Sequence, residues 1–321
     1  MKWLPRLLVL LLAAGVSGCS SHASRASLPS GTPAPPAFVR VGITEGGRLR
    51  IRQVPLEEYV QATILSEFAP ASGDPAAVER MFEVQAIIGR TFVLAQLGRH
   101  TREGYDVCDR AHCQLFQPSR LKTSRWATQA AAAARATSRE VLWYDGAPAM
   151  ALFHADCGGH TSAAADVWGG TAAPYLNGIA DDGPAESAHA VWRYDAPREA
   201  VQRALNADAR TRVGARLDGV QVLDRDPAGR AELIALHGSQ ERIVRGELVR
   251  EVLTAAFGVR TIRSTWFDVQ TQDGAIEFEG RGFGHGVGLC QAGAFARIRA
   301  GASLTAVLQR YFPGTALVTL G

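Results

Sequence analysis

Lysine is nearly missing from these 321 residues: it occurs only as Lys2 and Lys122, and arginine carries almost all of the positive charge. The 34 basic side chains face 31 acidic ones. Because Lys2 and Arg6 fall at the extreme N-terminus, the rest of the chain is close to neutral, which leaves no electrostatic case for binding nucleic acid. The most strongly apolar run, residues 7–16, is shorter than the roughly 20 residues of a stable membrane span. No phosphate-binding P-loop, His-Glu-x-x-His zinc helix or Gly-x-Ser-x-Gly nucleophile elbow occurs, and the glycine-rich segment does not read as Gly-x-Gly-x-x-Gly. Those absences weaken nucleotide hydrolysis, zincin proteolysis, α/β-hydrolase chemistry and dinucleotide binding as readings.

The N-terminus is informative. Lys2 and Arg6, the apolar stretch 7–16 and the small residues Ser17-Gly18 before Cys19 form the three regions of a secretory signal, residues 1–18. The site is similar to the bacterial lipobox, with Val16 in place of the usual leucine, so Cys19 is the expected lipidation site and first residue of the mature protein. An ordinary secretory peptide cut nearby, or an uncleaved anchor, are the other readings. Two or three acyl chains hold a protein at a membrane far better than one. Residues 19–37 are Ser, Ala and Pro with almost no large apolar side chain, a linker that could reach roughly 60 Å at ~3.3 Å per residue. The expectation is a cell-envelope protein, tied to a membrane by lipid, whose folded part is 38–321.

Residues 49–54 alternate as a strand does. Pro55-Leu56-Glu57-Glu58 opens a helix, with proline in the first turn and acids near the positive end of the dipole. Glu67 falls at the far end of that helix, where a carboxylate is disfavoured. A second helix runs from Asp74-Pro75 to about Leu97, and an alanine-rich third from about Thr123 to Thr137. Short strands follow at 140–144 and 149–155, around an Asp145-Gly146 turn. Residues 190–260 have their own helix and strand pattern and read as an insertion or second subdomain. Strands at 264–270 and 275–279 precede a glycine run and two amphipathic helices, 289–299 and 303–311. Helices and strands mix without βαβ alternation, so the fold class is α+β.

In the glycine run, Gly280, Gly282, Gly284, Gly286 and Gly288 recur at every second residue. An extended chain would put them all on one bare face, open to a ligand or a neighbouring strand, with Arg281, Phe283, His285 and Val287 opposite. Tight strand packing and ligand approach are both compatible with that pattern.

Four stretches together resemble the stage II sporulation protein D (SpoIID/LytB) family: Val54 to Val60 leading to Ser66-Glu67-Phe68-Ala69-Pro70; Val84 to Phe92; Cys157-Gly158-Gly159-His160-Thr161 with Pro174-Tyr175-Leu176; and Gly280 to Ala294 with Tyr311-Phe312-Pro313-Gly314. They lie in the family's order. Ala69, and Phe68 where methionine is common, depart from its pattern. The resemblance implies a glycan-binding groove and a lytic transglycosylase that cleaves denuded peptidoglycan strands between N-acetylmuramic acid and N-acetylglucosamine. Glu67 is then the acid and base that yields a 1,6-anhydromuramyl end. Beside Phe68 and Pro70 it is a carboxyl that burial could protonate. Gln85, Arg90, Gly158, Gly159, Gly284, His285, Gly286 and Gln291 are the candidates for holding the sugar, with a buried structural role equally open for Gln85 and Arg90; His154 and His160 read as framework. Some relatives instead resemble non-catalytic activators of a cell-wall amidase.

The chemistry requires no cofactor. His100, Cys108, His112 and Cys113 are similar to a zinc-binding cluster of some family members and suit a structural zinc. With Cys19 lipidated, the other four cysteines could instead form two disulfides, such as Cys108 to Cys113 and Cys157 to Cys290. Free thiols are the third reading, and all three stand on sequence.

Overall fold

The computed structural model describes residues 34–68, 70, 73–182, 191–272 and 274–321. The signal, Cys19 and all of the linker before residue 34 lie outside the described residues, as does Ala69. Among the described residues no helix is long and apolar enough to cross a membrane.

The chain opens with an antiparallel hairpin, β1 (Phe38–Glu45) and β2 (Arg48–Pro55). Helix α1 (Leu56–Glu67) starts on Pro55 and carries Glu57 and Glu58 in its first turn. Helix α2 (Pro75–Ala95) starts where the sequence predicts: the Asp74 carboxylate accepts from Ala77 N–H at 2.9 Å, with Pro75 in the first turn. Strand β3 (Val107–Cys108) joins β1 in parallel. The alanine-rich helix is interrupted, as a short α3 (Arg120–Thr123) and then α4 (Ala127–Ala136). The break lies at Ser124–Trp126, where the Trp126 ring is buried and its Nε1 donates to Pro70 O at 2.8 Å. Strands β4 (Glu140–Tyr144) and β5 (Ala147–Pro148) flank the Asp145-Gly146 turn, both of whose residues have positive φ. Strand β6 (Phe153–His154) and helix α5 (Ala164–Trp168) close this part of the chain.

A second unit follows: β7 (Trp192–Pro197), α6 (Arg198–Asn206), β8 (Leu217–Arg225), β9 (Ala231–Gly238), β10 (Arg242–Arg245), α7 (Gly246–Phe257), β11 (Phe267–Gln272) and β12 (Ala275–Gly280). It has a core of its own, from Trp192 through Ile234, Leu236 and Leu253 to Phe278. The unit extends past the end near 260 read from sequence, because β12 pairs antiparallel with both β7 and β11 and so carries residues 267–280 into it.

The chain then returns through β13 (Leu289–Cys290), parallel to β6, to helices α8 (Gln291–Arg299) and α9 (Leu304–Tyr311), and ends in β14 (Ala316–Thr319), antiparallel to β4. Among the described residues the five sheets are small, and the architecture is α+β. Helix α2 is its axis. Val78, Phe82, Ala86 and Val93 face one core with α1 and α4, while Met81, Val84, Ile87 and Ile88 face another with α8 and α9. A helix clad in apolar side chains nearly all round is buried by neighbours on every side.

Candidate active site

Glu67 is the last residue of α1, and the main chain turns extended at Phe68. Its surroundings are greasy: the Phe68 ring packs edge-on against Phe82 and Phe295, with centroids 6.3 and 5.4 Å away. The carboxylate accepts a hydrogen bond from Leu115 N–H at 2.5 Å. Burial pushes the carboxyl up to about 7, and the Leu115 N–H only partly offsets this. The side chain is half-buried, not sealed. At neutral pH both protonation states are therefore well populated, which suits a group that gives a proton and then takes one back.

Three elements fix this position. Gln291, the first residue of α8, donates through Nε2 to the Glu67 main-chain oxygen at 3.4 Å and to Gln85 Oε1 at 3.1 Å. An otherwise orphaned carbonyl at the end of α1 is thus tied to α2 and α8. The segment after Cys113 runs along the same helix end. Besides Leu115, Gln117 N–H donates to Ser66 Oγ at 3.0 Å, and Gln114 Oε1 accepts from Tyr59 Oη at 3.2 Å. Sequence reading missed Gln114 and Leu115. No motif marks them, since Leu115 acts through its backbone.

The structure brings Glu67, Gln85 and Gln291 together and places Arg90 elsewhere. Arg90 is fully buried. Its Nε and Nη2 grip both oxygens of Glu57 at 2.8 and 2.7 Å, Nη1 donates to the Thr137 and Glu140 carbonyls, and Nη2 also reaches Ala134 O. With every N–H used inside the protein, Arg90 is a brace between α1, α2 and α4 and has none left for a sugar.

The remaining candidates form a separate group around the glycine run. That run is not an extended strand. Gly282, Gly284, Gly286 and Gly288 all have φ between 72° and 103°, in the left-handed region that side chains disfavour. Close approach is part of the reason: a Cβ on Gly286 would lie 2.4 Å from Arg230 Nε. Gly158, half-buried, and Gly159, exposed, share the positive φ; Gly158 N–H donates to Asp156 Oδ1. His285 accepts from Val287 N–H through Nδ1 at 3.0 Å, and its ring lies 5.6 Å from that of His154 and 5.2 Å from that of Trp168. Burial drives its pKa down to about 4, so the ring is neutral. Trp168, exposed beside it, is a flat apolar surface that sequence reading did not single out. Nor did it single out Arg230, or the Glu247–Arg250 pair at 2.8 Å, whose charges are felt at His285.

All four described cysteines are free thiols, not the disulfides that remained open on sequence. Ligand atoms of His100, Cys108, His112 and Cys113 lie within 4.8 Å of one another. Cys113 Sγ is 3.4 Å from His100 Nε2 and 3.7 Å from His112 Nδ1, and Cys108 Sγ is 3.8 Å from His112 Nδ1. Tetrahedral zinc ligands sit ~3.3–3.8 Å apart, given bonds of about 2.0–2.3 Å, so the donor set fits that ion. The hydrogen bond from Cys113 pulls Cys108 down to about 4, and the same pairing pushes Cys113 up.

Residues 44–144, which hold Glu67, Gln85, Arg90 and this cluster, match a family model described as Stage II sporulation protein. Residues 182–288 match a domain of unknown function. The chain is 26% identical to Stage II sporulation protein D of Bacillus amyloliquefaciens over 280 residues, which cover 82% of this chain and 74% of that one. With the protein of the same name from Bacillus subtilis (strain 168) it shares 25% identity over 281 residues, 83% and 75% of the two chains. A 67-residue stretch is 37% identical to the Amidase enhancer of Bacillus subtilis (strain 168), covering 21% of this chain and 10% of that protein.

Proposed function

Since the chain belongs to the stage II sporulation protein D family, we propose that it acts on the cell wall as a lytic transglycosylase of denuded peptidoglycan strands, with Glu67 as the acid and base. The observation that carries this reading is the Glu67 carboxyl itself: burial raises it to about 7, at a half-buried helix end held by Gln291 and Leu115. In the first step the protonated carboxyl gives its proton to the glycosidic oxygen between N-acetylmuramic acid and N-acetylglucosamine, and the C1–O bond breaks. In the second the carboxylate removes the proton of the muramyl C6 hydroxyl, whose oxygen closes on C1 to give the 1,6-anhydro end. Glu67 is then protonated again and the cycle balances. One carboxyl suffices, because the nucleophile is tethered to the substrate and no second group is needed to activate water.

Gln85 and Gln291 act here as positioning residues, both nearly fully buried. His285, Gly158, Gly159, Gly284 and Gly286 belong to a second surface that holds the strand, where exposed Trp168 offers a stacking face. A zinc-class ion held by His100, Cys108, His112 and Cys113 supplies structure and not chemistry, clamping the loop whose continuation carries Leu115. Lipidation at Cys19 would keep the enzyme in the cell envelope, within reach of the wall.

The similarity to an amidase enhancer favours a second reading, a glycan-binding activator of a cell-wall amidase. Incubating the purified chain alone with amidase-treated peptidoglycan separates the two. The enzyme releases anhydromuramyl fragments detectable by mass spectrometry; the activator sediments with the strands, releases nothing, and accelerates an added amidase.

A further inference from the structure

A second sulfur cluster lies away from the zinc-like loop. A ring nitrogen of His154 and the thiol sulfurs of Cys157 and Cys290 lie within 4.8 Å of one another, and all three residues are buried. Strand pairing puts them there: β6 and β13 run parallel with His154 opposite Cys290, so their side chains share a face. Asp181 adds a carboxylate, its Oδ2 3.6 Å from Cys157 Sγ.

Three features make this a set of donors prepared for a cation. His154 Nδ1 donates to Val287 O at 3.1 Å, which fixes the tautomer and leaves Nε2 as a lone pair. That Nε2 is buried with no hydrogen-bond partner. A buried acceptor left bare is costly, and a ring nitrogen whose opposite N–H is held by a carbonyl is the usual arrangement of a metal-binding histidine. Both sulfurs are hydrogen-bond acceptors: Cys290 Sγ takes N–H groups from Cys157 at 3.2 Å and Gly293 at 3.3 Å, and Cys157 Sγ takes one from Gly159 at 3.3 Å. Cys290 also caps the N-terminus of α8, where the dipole favours negative charge. Finally, Asp181 is held by Tyr311 Oη at 2.6 Å and Arg297 Nη2 at 2.7 Å, so it arrives as an oriented carboxylate. The wholly buried Arg230 donates to Cys157 O at 2.7 Å and keeps Nε and Nη1 unpaired, a positive charge beside the thiols.

We infer that His154, Cys157 and Cys290 form a second, fully enclosed three-donor site for a divalent cation of the zinc class, with the Asp181 carboxylate, which accepts from Cys157 Sγ, beside it. The three donors lie within 4.8 Å of one another, so a small contraction brings them to the ~3.3–3.8 Å that bonds of about 2.0–2.3 Å require. Two thiolates balance the charge of a divalent ion, and the Asp181 carboxylate beside them is held by Arg297. The site is structural. It joins β6, the Cys157-Gly158-Gly159 turn, the segment at Asp181 and the start of α8, and so holds Gln291, next to Cys290, against Glu67. It does not rest on the lytic reading.

The test is zinc content per chain by plasma mass spectrometry on the full-length protein purified without chelator or added reductant, comparing wild type with Cys290→Ser and His154→Asn. Each substitution is expected to lower zinc by one equivalent, while Cys108→Ser/Cys113→Ser keeps one. In that double variant cobalt loading gives a thiolate charge-transfer band that adding Cys290→Ser abolishes. Unchanged zinc in Cys290→Ser overturns the inference, as does a Cys157–Cys290 disulfide in the wild type by peptide mapping. Should the variants fail to fold, the wild type decides alone: cobalt titration must saturate at two equivalents with thiolate bands throughout, and saturation at one overturns it.

Discussion

The amide nitrogen of Gln291 lies 3.4 Å from the main-chain oxygen of Glu67, so the first residue of α8 closes the last turn of α1 across 224 positions of sequence. The same nitrogen binds Gln85 on α2. The carboxyl offered as the acid is thereby registered by three helices at once.

Replacing Gln291 by alanine should therefore loosen Glu67 while leaving the fold intact. It strips the Glu67 carbonyl and Gln85 Oε1 of a donor, a cost of about 1–3 kcal/mol by the usual penalty for buried unsatisfied groups. Thermal melting should register that loss, and kcat for glycan cleavage should fall roughly tenfold with KM little changed.

The raised Glu67 carboxyl makes a prediction about pH. A carboxyl that ionises near 4.5 when unfolded and at about 7 when folded binds its proton more tightly in the native state. The native state is thus favoured most below 4.5 and loses that advantage as pH rises to 7, by at most about 3 kcal/mol. Glu67→Gln should accordingly raise the melting temperature at pH 8 and change it little at pH 4. Equal stabilisation at both would show that the carboxyl is not buried as described.

For Arg90 the expected defect is in stability. Arg90→Ala frees the part-exposed Glu57 and leaves three buried carbonyls without their donor, at about 1–3 kcal/mol per unsatisfied buried group. Arg90→Lys cannot restore the two-pronged grip on Glu57. Urea unfolding should show both variants weakened, and whatever folded protein remains should bind denuded strands like the wild type.

Gly286→Ala tests the close approach in the glycine run. Its φ of 83° and the 2.4 Å from a Cβ to Arg230 Nε mean that the guanidinium must move. Strain alone is worth about 1–2 kcal/mol. The melting temperature should fall, and Ala placed at Gly274, which has open space around a Cβ, should cost less.

Local signals were legible in the sequence where they carry their own chemistry. Pro55 with its two glutamates, and Asp74-Pro75, announce helix starts that no tertiary contact overrides. Glu67 stands out because a carboxylate at a helix end is unfavourable. The partners of these residues were hidden because they are backbone atoms or distant in sequence. Leu115 contributes an N–H that any residue could supply, and Arg90 looks alike in sequence whether it meets a sugar or Glu57. The glycine run has the period of a strand, yet alternating positive φ needs glycine at the same spacing, so pattern alone could not separate the two. Strands β11 and β12 belong with β7 through pairing some 80 residues apart, beyond the reach of local reading.

The most direct measurement concerns Glu67 itself. Amidase-treated peptidoglycan is incubated with wild-type protein and with Glu67→Gln of matched circular dichroism, from pH 5 to 9, and anhydromuramyl ends are counted by mass spectrometry. The account predicts that wild-type release falls as pH rises through about 7 and that the variant releases none. Release by Glu67→Gln at the wild-type rate would contradict it.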